Sequence, residues 1–166
     1  MSPAPIPVNP LDTLAITNTL SRYCTALDTK LFHLLDKVFV PDVLATYPFH
    51  ATDFKGIDAV RSAIQNRLGP IHTHHSLTTQ VLTFSLTEPH KTANAVTHFI
   101  GAHLGQGPHA GKVLTAYGRY VDELVCLPAE GEDYDGVPGA SGVWRIARRT
   151  VLFTGRVGDE KIMQEF

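Results

Sequence analysis

Histidines are concentrated in two neighbouring segments of this 166-residue sequence, and they are the first candidates for chemistry. His72, His74 and His75 stand at the start of one β-branched run, while His98 and His103 lie in the next. An imidazole titrates close to neutral pH and can move a proton when a carboxylate orients its other ring nitrogen. The sequence therefore offers general acid/base catalysis.

Strand alternation limits which of these histidines can share a pocket. Neighbouring residues in a strand point to opposite faces, so only one of His74 and His75 can point inward. His98 and His103 are also an odd number of residues apart, and they point to opposite faces unless a bulge near Gly101 changes the register. The pattern does not choose between His98 and His103.

Asp28 is the carboxylate best placed to enter a pocket, because it follows the apolar face of the first predicted helix. Its alternative role is that of a cap or a solvated turn residue. Tyr23, Tyr47, Tyr117 and Tyr120 could polarise a carbonyl group or shape a pocket, since a phenol buried at an apolar wall needs a hydrogen-bond partner. Core packing is the simpler role for Tyr23 and Tyr120.

A metal site is the rival use of the histidines. His72 and His74 could present two imidazoles on one face of a strand, and His98 could add a third. The sequence has no H-E-x-x-H pattern and no paired cysteine motif, and carboxylates near these positions are few. We therefore expect no bound metal.

Three arginines follow Trp144 in the last strand candidate. Alternation places Arg145 and Arg149 on one face, which we expect to be solvated. Arg148 shares the opposite face with Trp144 and Ile146, so it would need a partner if that face is buried.

The elements that must position these residues begin with helices. Apolar residues at helical spacing predict a first helix from Leu11 with Asp12 as its N-cap, and a short second helix that Pro41 ends. A short strand and a third helix follow. These predicted elements cover residues 11–27, 31–39, 43–47 and 57–68.

Four long β-branched and aromatic runs fill the second half of the chain, at residues 75–86, 92–104, 114–127 and 143–153. Successive strands without helices between them predict an antiparallel sheet. Helices followed by strands are typical of the α+β class, in which a curved sheet packs its concave face against the helices. The Gly- and Pro-rich segment 128–142 is either a hairpin connection or a lid over a pocket.

Composition excludes several classes of function. Lys and Arg number 14 against 16 Asp and Glu, a formal net charge of -2, which gives no general field for phosphate backbones. We expect no nucleic-acid partner. With 43% hydrophobic and 18% charged residues the chain resembles one globular domain. We expect a flexible tail over residues 1–10, the domain over 11–157, and a C-terminal tail or short helix over 158–166.

The N-terminal residues have no basic region and no apolar segment. We therefore expect neither a signal peptide nor a membrane span, and a cytoplasmic protein. Cys24 and Cys126 have no metal-binding spacing and are expected to be free thiols.

Several short runs resemble the SnoaL-like group of the nuclear transport factor 2-like superfamily, over about residues 11–157. They are Ser21–Asp28, Val38–Asp42, Phe54–Ile57, Thr73–His75, Gly118–Asp122 and Gly142–Ile146, together with Arg149. This resemblance implies a cone-shaped α+β barrel: a strongly curved, mostly antiparallel sheet wrapped around N-terminal helices, with an internal pocket.

Within that group the chain is most similar to scytalone dehydratase-like proteins, which use an Asp–His pair and two tyrosines without a cofactor. The resemblance implies these catalytic residues: His75, Asp28 and Tyr47. The expected substrate-binding residues are Tyr23, His98, His103, Tyr117, Arg119 and Phe54. Leu27 stands where the family has its other tyrosine.

The resemblance implies a cofactor-independent dehydratase, cyclase or isomerase. Its substrate would be a small, mostly apolar oxygenated secondary metabolite, such as a polyketide, terpenoid or alkaloid intermediate. The alternative is a non-catalytic binding or dimerisation module, and an enzyme should bring Asp28 within hydrogen-bond reach of His75. A homodimer or homotrimer formed through the outer face of the sheet is also expected.

Overall fold

The helices lie in the first half of the chain and precede most of the sheet. The structure, a computed structural model, describes residues 8–85, 91–129 and 135–164. Helix α1 spans Pro10–Thr29 and helix α2 spans Ile57–Leu68, with a 3₁₀ helix, Phe32–Lys37, between them. The predicted first and third helices are therefore present, and the second is a 3₁₀ helix.

Helix α1 begins one residue earlier than predicted and has a different cap. The Asn9 side chain accepts a hydrogen bond of 3.1 Å from the Leu11 N–H, and Pro10 occupies the first turn, where its missing N–H costs nothing. Asp12, predicted as the cap, is buried instead. Its carboxylate accepts hydrogen bonds of 2.8 Å from the backbone N–H and the hydroxyl of Ser141.

The sheet has six strands in the order β2-β1-β6-β5-β4-β3. Strand β1 pairs with β6 in parallel, and every other neighbouring pair is antiparallel. The strands are β1 Phe39–Thr46, β2 Phe54–Lys55, β3 His72–Ser85, β4 Thr92–Leu104, β5 Val113–Leu127 and β6 Val143–Gly158. The sheet is curved and does not close, so the α+β prediction is confirmed with an open edge on each side.

Strand β1 begins four residues earlier than the strand predicted at residues 43–47. Pro41, expected to end a helix, lies inside the strand and is exposed. The pairing with β6 shifts register between Phe39 and Leu44, and proline is tolerated in a strand at such an irregularity because it has no N–H to donate. The backbone restriction that proline imposes therefore favoured a strand here.

The core lies between the concave face of the sheet and the helices. Ile16, Leu20 and Leu27 of α1 are almost completely buried and belong to the same apolar cluster as Trp144 and Ile146 of β6. Helical spacing brings the α1 residues onto one face, and strand alternation does the same for those of β6. Cys24 and Cys126 are free thiols, and burial raises the pKa of Cys24 to about 12.

A β-bulge reverses the predicted faces of the arginines in β6. The pairing with β5 steps from Ile146 directly to Arg148, which leaves Ala147 as an extra residue. Before Ala147 the even-numbered residues of β6 face inward, and after it the odd-numbered ones do. Arg149 is therefore completely buried and Arg148 is exposed, so the predicted solvated face for Arg149 was wrong.

The described part of the segment after β5, residues 135–142, packs against α1. Asp135 accepts a hydrogen bond of 2.8 Å from Arg145 and forms an ion pair with Arg22. The Gly139 carbonyl accepts a hydrogen bond of 2.8 Å from Asn9. Residues 130–134, part of the segment considered as a lid, lie outside the described residues.

The last described element follows the final strand closely. Strand β6 continues through Gly158, past the expected domain boundary, and a 3₁₀ helix follows at Glu160–Met163. No helix in the described ranges has the length and apolar character needed to cross a bilayer.

Candidate active site

Asp28 and His75 form a directly hydrogen-bonded pair where the last turn of α1 meets β3. Asp28 Oδ1 lies 2.7 Å from His75 Nδ1, and Oδ2 accepts the backbone N–H of His75 at 2.8 Å. Because a carboxylate accepts, Nδ1 carries the proton, and Nε2 of the neutral ring keeps its lone pair. The two side chains therefore meet, as an enzyme of this kind requires. In this tautomer Nε2 can act as a base.

Thr73 and Lys30 complete the surroundings of the Asp28 carboxylate. The Thr73 hydroxyl donates to Asp28 Oδ1 at 2.9 Å, and Lys30 Nζ donates to the same hydroxyl oxygen at 3.1 Å. Burial alone would raise the pKa of Asp28, but the hydrogen bonds from His75 and Thr73 outweigh it and leave that pKa lowered. Asp28 therefore stays ionised and holds the His75 ring in one orientation.

The pair stands at the wall of an apolar pocket. His75 lines this pocket, and its side chain is only 6% exposed. The space between the lining residues, including open solvent at the mouth, is about 590 Å³. The walls are mainly aliphatic and aromatic, with Leu27, Phe49, Leu68, Phe99 and Leu114 among them. No Asp or Glu of the described ranges lines it.

Two phenols in the same pocket are hydrogen-bonded to each other. The hydroxyl oxygens of Tyr23 and Tyr47 are 3.1 Å apart, and both side chains are buried. Burial raises the pKa of Tyr23 and that of Tyr47, so both remain protonated donors at neutral pH. Leu27 has no hydroxyl, but Tyr23 stands one helical turn before it and brings a second phenol into the pocket.

Arg149 lies behind these phenols and is completely buried. Its Nε and Nη2 donate to the two carboxylate oxygens of Asp122, each at 2.7 Å. Its guanidinium carbon lies 4.1 Å from the ring centre of Tyr23 and 4.3 Å from that of Tyr120. Burial alone would lower the pKa of Arg149, but the Asp122 carboxylate raises it well above its usual value. A buried Arg149–Asp122 ion pair therefore lies beneath the aromatic wall of the pocket, with its guanidinium against the rings of Tyr23 and Tyr120.

His103, and not His98, is the second histidine of the pocket. The inward positions of β4 alternate without interruption from Ala93 to His103, so His98 is exposed on the other face. The ring centre of His103 lies 6.1 Å from that of His75. His103 Nδ1 donates to the Leu114 carbonyl at 3.2 Å, and burial lowers the pKa of His103 to about 4. His103 is therefore neutral, with Nε2 free to accept a hydrogen bond.

The structure places three expected substrate-binding residues away from the pocket lining. Tyr117 is exposed and Arg119 is half-buried, both on the outer face of β5, because the inward positions of that strand are the even-numbered ones. Phe54 belongs to an adjoining aromatic group, with its ring centre 6.1 Å from that of Tyr47, and lines a separate depression. These positions contradict the expected contacts of Tyr117, Arg119 and Phe54 with the main pocket.

Tyr120, Arg67 and Arg156 also line the pocket. Core packing was the simpler role expected for Tyr120, and neither arginine was a candidate from the sequence. Tyr120 stacks on Phe99 with ring centres 4.4 Å apart, and the regular alternation of β5 would have pointed to it. Nothing in the sequence distinguished Arg67 or Arg156 from solvated surface arginines. The described part of segment 128–142 contributes no lining residue.

The three histidines considered for a metal lie apart from this pocket. His72, His74 and His98 are exposed. Within residues 8–85, 91–129 and 135–164, no three His, Cys, Asp or Glu side chains are grouped as metal ligands.

Solved structures share this fold at low sequence identity. The Kfla4162 protein of Kribbella flavida is 17% identical with a TM-score of 0.74, over 93% of this chain and 97% of its own. A proposed scytalone dehydratase of Novosphingobium aromaticivorans is 21% identical, TM-score 0.68, over 88% and 86%. A type 2 hexachlorocyclohexane dehydrochlorinase, LinA, is 16% identical, TM-score 0.66, over 89% and 88%.

The sequence itself matches one family across most of its length. No curated protein matches it significantly. The model of the SnoaL-like domain family matches residues 10–150, which include α1, the Asp28–His75 pair and the buried Arg149. The chain therefore belongs to the SnoaL-like family.

Proposed function

We propose that this protein is a cofactor-independent lyase or isomerase that starts its reaction by removing a proton from carbon. The observation that carries this proposal is the hydrogen-bonded Asp28–His75 pair in the wall of an apolar pocket. Asp28 sets the tautomer of His75 and stabilises the imidazolium that forms. A positioned base of this kind typically contributes roughly 10²–10⁴-fold in rate.

A dehydration illustrates how the pocket would work. His75 Nε2 takes a proton from the carbon next to a carbonyl group, and the electron pair of that bond forms an enolate. Tyr23 or Tyr47 donates a hydrogen bond to the developing oxyanion. The enolate then reforms the carbonyl and expels the β-hydroxyl group, which takes the proton from the His75 imidazolium and leaves as water.

The same first step serves cyclisation and isomerisation. In those reactions the enolate attacks another carbon of the molecule or is reprotonated at a new position. The aliphatic and aromatic walls favour a small, mostly apolar oxygenated substrate, such as a polyketide, terpenoid or alkaloid intermediate of secondary metabolism. The names of two structural relatives, a dehydratase and a dehydrochlorinase, describe eliminations and support this reaction class.

Proton exchange tests the proposal without knowledge of the natural substrate. A panel of aryl ketones and β-hydroxy ketones is incubated with the protein in D₂O. Deuterium at the carbon next to the carbonyl is measured by NMR, and the conjugated dehydration product by ultraviolet absorption. We expect wild type to accelerate exchange of at least one member, and His75→Gln and Asp28→Asn to lose roughly 10²–10⁴-fold of that rate.

His98→Gln is the matched control, because His98 is exposed on the outer face of β4. It should exchange as fast as wild type. If His75→Gln kept the wild-type rate, the proposal would be wrong. If panel members bound to the pocket and wild type accelerated no exchange, the alternative of a non-catalytic binding module would replace it.

We also propose that the protein assembles with copies of itself through the outer face of the sheet, as a dimer or trimer. Large apolar side chains are exposed on this face, and an apolar patch of this kind is unusual on a surface that remains in contact with solvent. They are Val81, Ile100, Leu104, Val113, Tyr117, Val121 and Leu152.

A further inference from the structure

Two arginines line the pocket, and among the described residues only one of them forms an ion pair with a carboxylate. Arg67 lies in the last turn of α2, Arg156 lies on β6, and both line the pocket that contains His75. Arg156 Nη2 is paired with Glu160 Oε2 at 2.8 Å. Arg67 has no hydrogen bond or ion pair to any residue of the described ranges. Among the described residues, these two arginines therefore have one ion-paired carboxylate, that of Glu160, between them.

The surroundings of Arg67 make this imbalance costly. Its guanidinium carbon lies 4.4 Å from the ring centre of Phe49, so one face of the group is covered by an aromatic ring. Burial lowers the pKa of Arg67, the charge of Arg156 lowers it further, and Glu160 raises it. A half-buried guanidinium next to a like charge loses hydration, and within the described residues Arg67 gains no hydrogen-bond acceptor in exchange. An anion entering the pocket would supply that partner.

Arg67 and Arg156 line the same pocket as the proposed base His75. The charge of Arg67 also contributes to the lowered pKa of His103, whose ring neighbours His75. The lining has no described carboxylate that would repel an anion. Guanidinium groups present paired N–H donors that match the two oxygens of a carboxylate.

We propose that the substrate is a small apolar acid whose carboxylate is bound by Arg67 and Arg156, with its reacting carbon next to His75. This inference deepens the proposed function and rests on it for the identity of the reacting end. The carboxylate holds one end of the molecule at the arginines, and the apolar body lies along the aliphatic and aromatic walls. The carbonyl or hydroxyl oxygen at the far end then meets Tyr23 and Tyr47.

Matched pairs of ligands test the binding of the anion. Phenylacetate, naphthalene-2-carboxylate and 4-phenylbutyrate are each compared with the corresponding neutral carboxamide by isothermal titration calorimetry at neutral pH. All titrations are repeated in the His75→Gln background, so that binding is measured apart from the proposed chemistry. We expect at least one carboxylate to bind about tenfold or more tighter than its amide.

Three variants test whether that preference depends on Arg67. Arg67→Gln should abolish most of it, whereas Arg67→Lys, which keeps the charge, should retain part of it. Arg148→Gln is the control, because Arg148 lies on the same strand as Arg156 but is exposed outside the pocket. The melting temperature of each variant is measured to establish that it is folded.

Equal binding of acids and amides, binding of neither, or an unchanged preference in Arg67→Gln would each overturn the inference. The outcome is separable from that of the proposed function. Exchange of neutral ketones that depends on His75, without any preference for carboxylates, would contradict the inference alone. A carboxylate preference that needs Arg67, with no exchange of any substrate, would support an acid-binding pocket and contradict the proposed catalysis.

Discussion

Gly101 lies directly opposite His75 in the β3–β4 pairing and leaves the space that the imidazole occupies. A Cβ atom added at Gly101 would lie 3.1 Å from His75 Cδ2 and 3.2 Å from Nε2. The ring cannot turn away freely, because Asp28 holds its other nitrogen at 2.7 Å. The glycine is therefore part of what sets the position of the proposed base.

Gly101→Ala should displace the His75 ring by a few tenths of an ångström and lower the exchange rate about tenfold. Stability should change by less than about 1 kcal/mol, because alanine suits a strand as well as glycine does. Gly155→Ala is the control, since a Cβ there would meet no atom within 4 Å. Exchange by NMR and urea denaturation check both variants, and a wild-type rate in Gly101→Ala would contradict the assignment.

Tyr23→Phe and Tyr47→Phe should each lower the rate by about 10²-fold, because each removes a donor to the developing oxyanion. Loss of the 3.1 Å hydrogen bond between the two hydroxyls should cost about 1 kcal/mol of stability. Tyr117→Phe, on the exposed outer face of β5, should change neither quantity. If both pocket variants kept full activity, the phenols would serve packing only.

His103 should make the protein less stable as the pH falls from about 6.5 to about 4. Burial lowers the pKa of His103 from 6.5 to about 4 in the folded state, so over this range the unfolded chain binds a proton that the folded one does not. Its contribution is fully present above pH 6.5 and is lost as the pH drops towards 4. Melting curves of wild type and His103→Asn check this.

The asparagine can still donate to the Leu114 carbonyl but does not titrate. The difference in melting temperature between wild type and His103→Asn should therefore vary with pH between about 6.5 and about 4. Parallel pH profiles would show that His103 has an ordinary pKa. An NMR titration of the ring provides an independent measurement.

Removing Arg149 should destabilise the fold strongly. Arg149→Met leaves the Asp122 carboxylate buried without its two 2.7 Å hydrogen bonds, at a cost of about 3–5 kcal/mol. The double variant Arg149→Met/Asp122→Leu removes both charges and should lose less than Arg149→Met alone. Urea denaturation measures both variants and the single variant Asp122→Leu, and a double variant as unstable as the sum of the two single ones would contradict a coupled pair.

Self-association should depend on the outer face of the sheet. Val121 lies on β5, which has β4 on one side and β6 on the other, and its side chain is exposed. Val121→Lys should convert the expected dimer or trimer to monomer, as measured by light scattering during gel filtration. Asp42→Lys, a charge change at an exposed position on β1, should leave the assembly intact. A monomeric wild-type protein would contradict the proposal.

Alternation predicted some site residues from the sequence and failed for others, for identifiable reasons. Alternation did not decide which of His98 and His103 faces the pocket. In the structure β4 alternates without interruption, and His103 faces inward. Alternation placed Arg149 on the wrong face. The extra residue at Ala147 reverses which residues of β6 face inward, and the residue types around it do not indicate a bulge. Alternation shows that Tyr117 and Tyr120 lie on opposite faces of β5. It does not show which face is buried, because the outer face of β5 is also rich in apolar residues.

The Asp28–His75 pair followed from resemblance and from the position of each residue at the end of an element. The hydrogen bond between Tyr23 and Tyr47 did not, since it joins a helix to the residue after β1 across the core. The role of Arg67 depends on which charges surround it in space. Such relations arise only when distant segments pack together.

The parallel pairing of β1 with β6 links an early segment of the chain to its final strand. While the polypeptide is being synthesised, β1 can pair only with the short β2 until β6 has emerged. Closing so long a loop slows folding and leaves an unprotected strand edge in the nascent chain. We therefore expect the wall that carries Tyr47 to be completed last, after β6 has paired with β1.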